Sequence, residues 1–286
     1  MRAKRASLLN QVMHDLPEGF VVDATWLNAV GLSSSSIRDY VQRGWLERAG
    51  SRLYRKPDRT GDPVVRWELA LLSLQSLLSV AVHVGGMTAL ELAGYWQYAP
   101  MGRRRVWAYS DARYVRSYLA RLELDAELEL RSRKLFTDDE LGIETRTLDL
   151  ITSTISPTGA SGDGVPVAHK HQLRVSSLER AILEVLDEVP GTFSFAHGAE
   201  LFDGLTTLRP RLATQLLNAC TSIKAKRLFL YLADEQKQGW TRKLDRSGID
   251  LGSGKRQIVP GGEYNRAYQI TVPRERGSGS AGRTSR

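Results

Sequence analysis

The chain has 286 residues, 42% of them hydrophobic and 25% charged, enough for a sizeable core in one or two domains without metals or crosslinks. A single cysteine, Cys220, excludes an intrachain disulfide and fits a reducing cytoplasm; no apolar run is long enough for a membrane helix, and the charged start at residues 1–10 does not read as a secretory signal. The formal net charge of +8 points toward nucleic acid, since Lys and Arg displace counterions condensed on phosphates.

In chain order, "KRASLLNQVMHDL" at residues 4–16 spaces apolar residues as a helix does and stops at Pro17-Glu18-Gly19. "FVVDATWLNAV" follows as a short extended piece and a short helix capped by Asp23 or Thr25. Gly31 breaks that helix, and residues 33–43 form the next one, ended by Gly44. "WLERAGSRLYRK" predicts two short strands around a Gly50-Ser51 turn. "KPDRTGDP", rich in Pro, Gly and charge, predicts a linker near residues 56–63.

Beyond it, "VVRWELALLSLQSLLSV" predicts an apolar helix over residues 64–79, then an extended piece, a Gly-Gly break and a helix from Thr88. "RRRVWAYS" predicts a strand, "RYVRSYLARL" a helix, "LDAELELRSRKLF" a strand, and "GIETRTLDLITSTI" one or two more. "SPTGASGDG" is a polar loop. "SSLERAILEVLDEVP" is a clear helix with Ser176 or Ser177 as its cap and Pro190 as its stop. Helices at 197–204 and 209–221 follow, then "KRLFLYLADEQ" as helix or as strand turning into helix, a last strand at "AYQITVP", and an expected disordered tail at 274–286.

Three helical segments and a hairpin within the first 60 residues form the pattern of a winged helix-turn-helix. Leu27, Val30, Leu32, Ile37 and Val41 fall where two crossing helices bury their apolar faces. On the other face of the second helix, Ser34, Arg38 and Gln42 are spaced by four and line up, beside Ser33 and Ser35. Short hydroxyls at the leading end let a recognition helix approach a groove, and its N-terminus attracts phosphate. Arg43 stands at the helix end, able to reach DNA or to pair with Asp39. Arg48 and Arg52 flank the wing turn, with Arg55 beyond. Residues 1–60 hold ten Lys/Arg against six Asp/Glu, a balance of +4.

No catalytic constellation emerges. His169 and His171 in "HKH" lack a Cys or carboxylate cluster to complete a metal site and read as a solvated loop. "GSGKR" at 252–256 has Ile249 where a phosphate loop needs glycine and Arg256 where it needs Ser or Thr, so no nucleotide loop is assigned. Asp125, Glu127 and Glu129 alternate along a strand, as the metal carboxylates of a nuclease could, but the pattern is that of any half-buried strand and is read as a solvated face. Lys224, Lys226, Arg227, Lys255 and Arg256 put basic side chains beside glycine-rich backbone, which suits an anion and equally suits a basic surface loop.

Over most of residues 1–273 the sequence resembles the AbiEi-type antitoxins of type IV toxin–antitoxin systems. The resemblance is carried by the winged-helix pattern, "HVGGMTALELAGYWQY", "SLERAILEVLDEVP", "ELFDGLTTLRPR" and "IDLGSGKRQIVPGGEYNRAYQITVP". It implies an α+β protein: an N-terminal winged helix-turn-helix (1–60) followed by a larger mixed α/β antitoxin domain (64–273). It further implies a non-enzymatic repressor of its own operon that binds inverted repeats in double-stranded promoter DNA and needs no cofactor. The second implied partner is a nucleotidyltransferase-like toxin, opposed without a necessary stable complex. Basic residues of the C-terminal domain are also implied in DNA contact. A nuclease targeted by a winged helix, and a transcription factor with a ligand-sensing C-terminal domain, are the alternatives.

Overall fold

The computed structural model describes residues 10–57, 63–95, 102–155 and 165–274. The basic start of the first helix, most of the 56–63 linker, the "SPTGASGDG" loop and the tail after residue 274 lie outside the described residues. Two compact units emerge. The first comprises residues 1–92, 97–133 and 143–177, and the second residues 93–96, 134–142 and 178–286.

The first unit opens with helical residues 10–15 (α1), which bury Val12. Strand β1 (Val22–Asp23) leads into α2 (Ala24–Ala29). Asp23 caps α2: its Oδ1 accepts from the Trp26 amide at 2.8 Å. Oδ2 of the same carboxylate accepts from the Tyr114 hydroxyl at 2.8 Å. α3 (Ser34–Gln42) follows, with Ile37 and Tyr40 buried against Leu27 and Leu32. Gly44 ends the helix at φ +71°, a left-handed conformation that favours glycine.

β2 (Glu47–Gly50) and β3 (Leu53–Arg55) form the wing, in a three-stranded sheet ordered β1-β3-β2. Helices and sheet together have winged helix-turn-helix topology. Val12, Leu27, Ile37 and Leu53 belong to one core cluster with Leu71, Val106 and Leu173.

The expected helix over 64–79 is divided. α4 (Trp67–Leu72) passes into a π-helical turn, Ser73–Leu77. Side-chain competition explains the change. Ser73 Oγ donates to the Leu69 carbonyl at 2.6 Å and accepts from the Val21 amide at 2.9 Å, and Ser76 Oγ donates to the Leu72 carbonyl at 2.7 Å. Serine hydroxyls bonding four residues back loosen the backbone ladder.

β4 (His83–Val84), α5 (Gly86–Leu92), β5 (Arg104–Tyr109), α6 (Arg113–Leu119), β6 (Ala126–Arg131), β7 (Ile143–Ile155) and β8 (Val165–Ser176) complete the unit. Their sheet is ordered β6-β5-β4-β8-β7; β5–β6 and β4–β8 run parallel, β4–β5 and β7–β8 antiparallel. "HKH" lies on β8, not in the solvated loop expected of it. His169 pairs with Leu150 and His171 with Leu148, and the His171 ring packs on Phe20 at 5.2 Å. The alternation of His169, His171, Leu173 and Val175 is a strand period broken up by polar residues on the other face.

The second unit is mainly helical: α7 (Leu178–Asp187), α8 (Phe195–Gly204), α9 (Pro210–Ala219) and α10 (Ile223–Gln236). The segment left open between helix and strand is thus helix. Phe202 and Phe229 meet edge to face at 5.0 Å, with Trp240 at 5.8 and 5.9 Å from them. A three-stranded sheet ordered β10-β11-β9, from β9 (Arg256–Gln257), β10 (Glu263–Asn265) and β11 (Ile270–Val272), closes the chain. The fold is α+β throughout.

Candidate nucleic-acid interface

The leading end of α3 is organised by one hydroxyl. Ser33 is extended at φ −76° and ψ 158°, and its Oγ accepts from the Ser36 amide at 3.1 Å, filling one of the donors that a helix start leaves open. The same oxygen lies 2.8 Å from Ser35 Oγ and 2.9 Å from Ser36 Oγ. Ser33, Ser34 and Ser35 are exposed; Ser36 turns partly inward. The four serines therefore make a small polar tip with a satisfied cap and no bulky side chain in front of it.

Arg38 and Gln42 continue the exposed face behind Ser34, one turn apart each. Neither has a side-chain hydrogen bond or ion pair among the described residues. Arg43 is different. Its Nε donates to Asp39 Oδ1 at 2.8 Å, and its guanidinium stands 5.5 Å over the Trp45 ring. Trp45 is 39% exposed and rests edge-on against Tyr40 at 5.3 Å. Arg43 thus enters the surface as a partly neutralised cation on an aromatic shelf. In the sequence Trp45 is marked only as an aromatic next to Gly44, while its neighbour Leu46 carries the burial, at 1% exposure.

In the wing, Arg48 and Arg52 are exposed on either side of the turn, with Arg52 at φ +58°. Gly50 is required by a close approach: a Cβ there would overlap the Arg121 carbonyl. Arg121 Nη1 also donates to the Ser51 carbonyl at 3.1 Å, so the loop after α6 braces the turn from behind. At the wing's far end burial lowers the Lys56 pKa, against the opposing pull of Glu18.

Arg55 differs from Arg48 and Arg52. It is 5% exposed, and its Nε donates to Glu47 across the two wing strands, so its charge faces a carboxylate rather than solvent. The basic residues of the second unit separate in the same way. Lys226 is 4% exposed and Arg227 1%. Arg227 donates to the carbonyls of Leu251 at 2.8 Å, Gly252 at 3.2 Å, Gly254 at 2.7 Å and Gln269 at 3.3 Å. It clamps the glycine-rich loop from within, because its buried guanidinium needs acceptors and these carbonyls supply them. Lys224 is half-buried and donates to the Asp187 carbonyl. Lys255 and Arg256 are exposed, with Lys255 Nζ 5.1 Å over the Tyr264 ring. Of the basic residues expected at a DNA surface, Arg55, Lys226 and Arg227 are thus buried.

The strand carboxylates already have partners. Asp125 Oδ1 accepts from the Trp67 amide at 2.8 Å, Glu127 lies 3.6 Å from Arg105, and Glu129 lies 3.0 Å from Arg131. Among the described residues no helix is long and apolar enough to cross a membrane.

The model of the N-terminal domain of the AbiEi antitoxin transcriptional regulators matches residues 5–101. The model described as transcriptional regulator, AbiEi antitoxin, type IV TA system matches residues 103–273. No curated protein matches the chain. Among solved structures, the RV2827C protein from Mycobacterium tuberculosis shares 18% identity over 93% of this chain and 90% of that one, with a TM-score of 0.48.

Proposed function

The chain belongs to the AbiEi antitoxin family of transcriptional regulators of type IV toxin–antitoxin systems, and from that premise we propose that it represses its own operon and neutralises a nucleotidyltransferase-like toxin in the cytoplasm. In this reading residues 1–60 read inverted repeats in double-stranded promoter DNA, and residues 64–273 carry the antitoxin function. It acts as a regulator and not as an enzyme.

The observation that carries the DNA half is the exposed row Ser34, Arg38 and Gln42 on α3, flanked by Arg48 and Arg52 in the wing. A helix start fronted by short hydroxyls can enter the major groove. Arg38 and Gln42 have the donor and acceptor geometry to read guanine and adenine edges. Arg48 and Arg52 suit phosphate or minor-groove contact and position the helix without specifying sequence. Lys255 and Arg256 are the basic residues of the second unit that remain exposed for a further DNA contact.

A gel-shift series compares the chain's own promoter with a scrambled duplex at several salt concentrations. Tighter binding to the promoter, with affinity falling steeply as salt rises, supports the repressor reading. Equal affinity for both duplexes refutes it. The antitoxin half is tested by co-expression with a neighbouring nucleotidyltransferase-like gene. Growth restored by the full chain supports it, and persistent arrest despite soluble expression rejects it.

A further inference from the structure

The second unit has a cleft of about 350 Å³ at the C-terminal end of α10, lined by Ala233, Asp234, Lys237, Thr241, Arg242 and Arg246. Its charged residues have distinct roles. Arg246 Nη2 donates to Asp234 Oδ1 at 2.7 Å, and Nη1 donates to the Tyr268 hydroxyl at 3.0 Å. That hydroxyl in turn donates to Asp234 Oδ2. The three groups form a closed triangle that fixes the Arg246 guanidinium. Burial works to raise the Asp234 carboxyl, but the hydrogen bonds from Arg246 and Tyr268 prevail and hold it below the usual carboxylate range. Burial and Asp234 push Tyr268 up to about 12. Asp234 and Arg246 are therefore an ionised pair, and Lys237 and Arg242 are cations in excess of it.

Both of those side chains are exposed, and neither has a hydrogen bond or ion pair among the described residues. Lys237 also occupies the left-handed cap of α10, at φ +49°. Glycine and asparagine are the ordinary residues there, and a non-glycine residue carries conformational strain. Small residues form the rest of the wall: Ala233, and Thr241, whose hydroxyl is committed to the Gln238 carbonyl at 2.8 Å.

We propose that this cleft binds the diphosphate moiety of a small anion, with Lys237 and Arg242 supplying charge and Arg246 a pre-oriented planar donor. The volume is at the small end of ligand cavities. Three cations against one carboxylate match an anion of two or more charges. A fixed guanidinium suits phosphate oxygens through paired N–H donors. The lining residues include no aromatic face on which a base would stack, so the phosphates carry the recognition.

Calorimetric titration of the full chain with sodium pyrophosphate, a nucleoside triphosphate and sulfate, at matched ionic strength, tests this. Saturable one-to-one binding of pyrophosphate is expected, with sulfate weaker by about tenfold or more. A triphosphate that binds more tightly, and loses that binding in the same variants, supports the site with a nucleotide as its source. The double variant Lys237→Gln, Arg242→Gln should keep the wild-type melting temperature, because both side chains are exposed, and should weaken pyrophosphate by at least about tenfold. The single variant Arg242→Lys retains the charge without the fork and should fall between the two. Equal responses to sulfate and pyrophosphate, or unchanged pyrophosphate affinity in the double variant, overturn the proposal. So does a loss of promoter-duplex affinity in the double variant that parallels the loss of pyrophosphate, since the cleft would then be a contact for the DNA backbone. Gel shifts of α3 variants fail or succeed independently of these titrations.

Discussion

Arg121 donates from Nη1 to the carbonyl of Ser51 at 3.1 Å, and its own carbonyl lies where a Cβ on residue 50 would have to stand. The wing turn is thus held by a residue 70 positions away in the chain. Gly50 also bridges Leu122, and the β2–β3 register shifts between Arg48 and Gly50. The bulge and the brace together aim Arg48 and Arg52.

Gly50→Ala forces a clash with backbone, which cannot rotate away as a side chain can. It should cost about 1–3 kcal/mol of stability, read from chemical denaturation. It should also lower affinity for promoter and scrambled DNA alike, because the wing supplies position and not sequence. A stable variant with unchanged DNA binding would show that the wing is not braced through this contact.

The two groups of exposed side chains should separate in binding experiments. Arg38→Ala or Gln42→Ala should cost about 1–3 kcal/mol on the promoter and narrow its advantage over scrambled DNA. Arg48→Ala or Arg52→Ala should weaken both duplexes equally and reduce the salt slope by about one for each phosphate left without its cation. Anisotropy titrations across a salt series distinguish the two patterns, and the reverse assignment would relocate base reading to the wing.

Arg55→Met removes a buried cation and leaves Glu47, 30% exposed, without its partner. The expected loss is about 1–3 kcal/mol of stability. Affinity for DNA per folded molecule should stay at the wild-type level. A selective loss of DNA affinity at full stability would return Arg55 to the interface.

Glu179 is 1% exposed and accepts from the Arg209 amide at 2.7 Å, from its Nε at 3.0 Å and from its Nη2 at 2.7 Å. Burial works to raise this carboxyl, yet the bonds from Arg209 outweigh it and lower the pKa. A carboxylate with a depressed folded pKa binds fewer protons folded than unfolded. Its stabilisation is therefore complete above the ordinary carboxylate range and is lost as pH falls through the lower folded value. Glu179→Gln should cost about 2 kcal/mol near neutrality, and the gap to wild type should close as the solution is acidified. Urea denaturation from neutral pH downward measures this; a gap that widens on acidification contradicts the assignment.

Local chemistry was legible in the sequence wherever the answer depends on near neighbours. Asp23 as a cap, Gly44 as a helix stop, the Gly50-Ser51 turn and the helix after Ser177 follow from groups within a few residues of one another. The helix spacing of four likewise placed Ser34, Arg38 and Gln42 on one face, and the structure leaves all three exposed. The serine run that makes a poor helix interior makes a good helix start, for reasons contained in the run itself.

Only the tertiary structure decided which basic residues face solvent. Arg48 and Arg55 are alike by composition and lie in the same hairpin, but strand pairing sets Arg55 beside Glu47 and leaves Arg48 outside. Arg227 and Lys255 lie in equally basic stretches. Yet α10 carries Arg227 into three carbonyls of the 251–254 loop and that of Gln269, and Lys255 stays on the surface. The same holds for "HKH", whose strand register is set by partners on β7. A charge becomes a contact or a clamp according to whether unpaired backbone and carboxylates reach it, and that depends on chain crossings that no local pattern records.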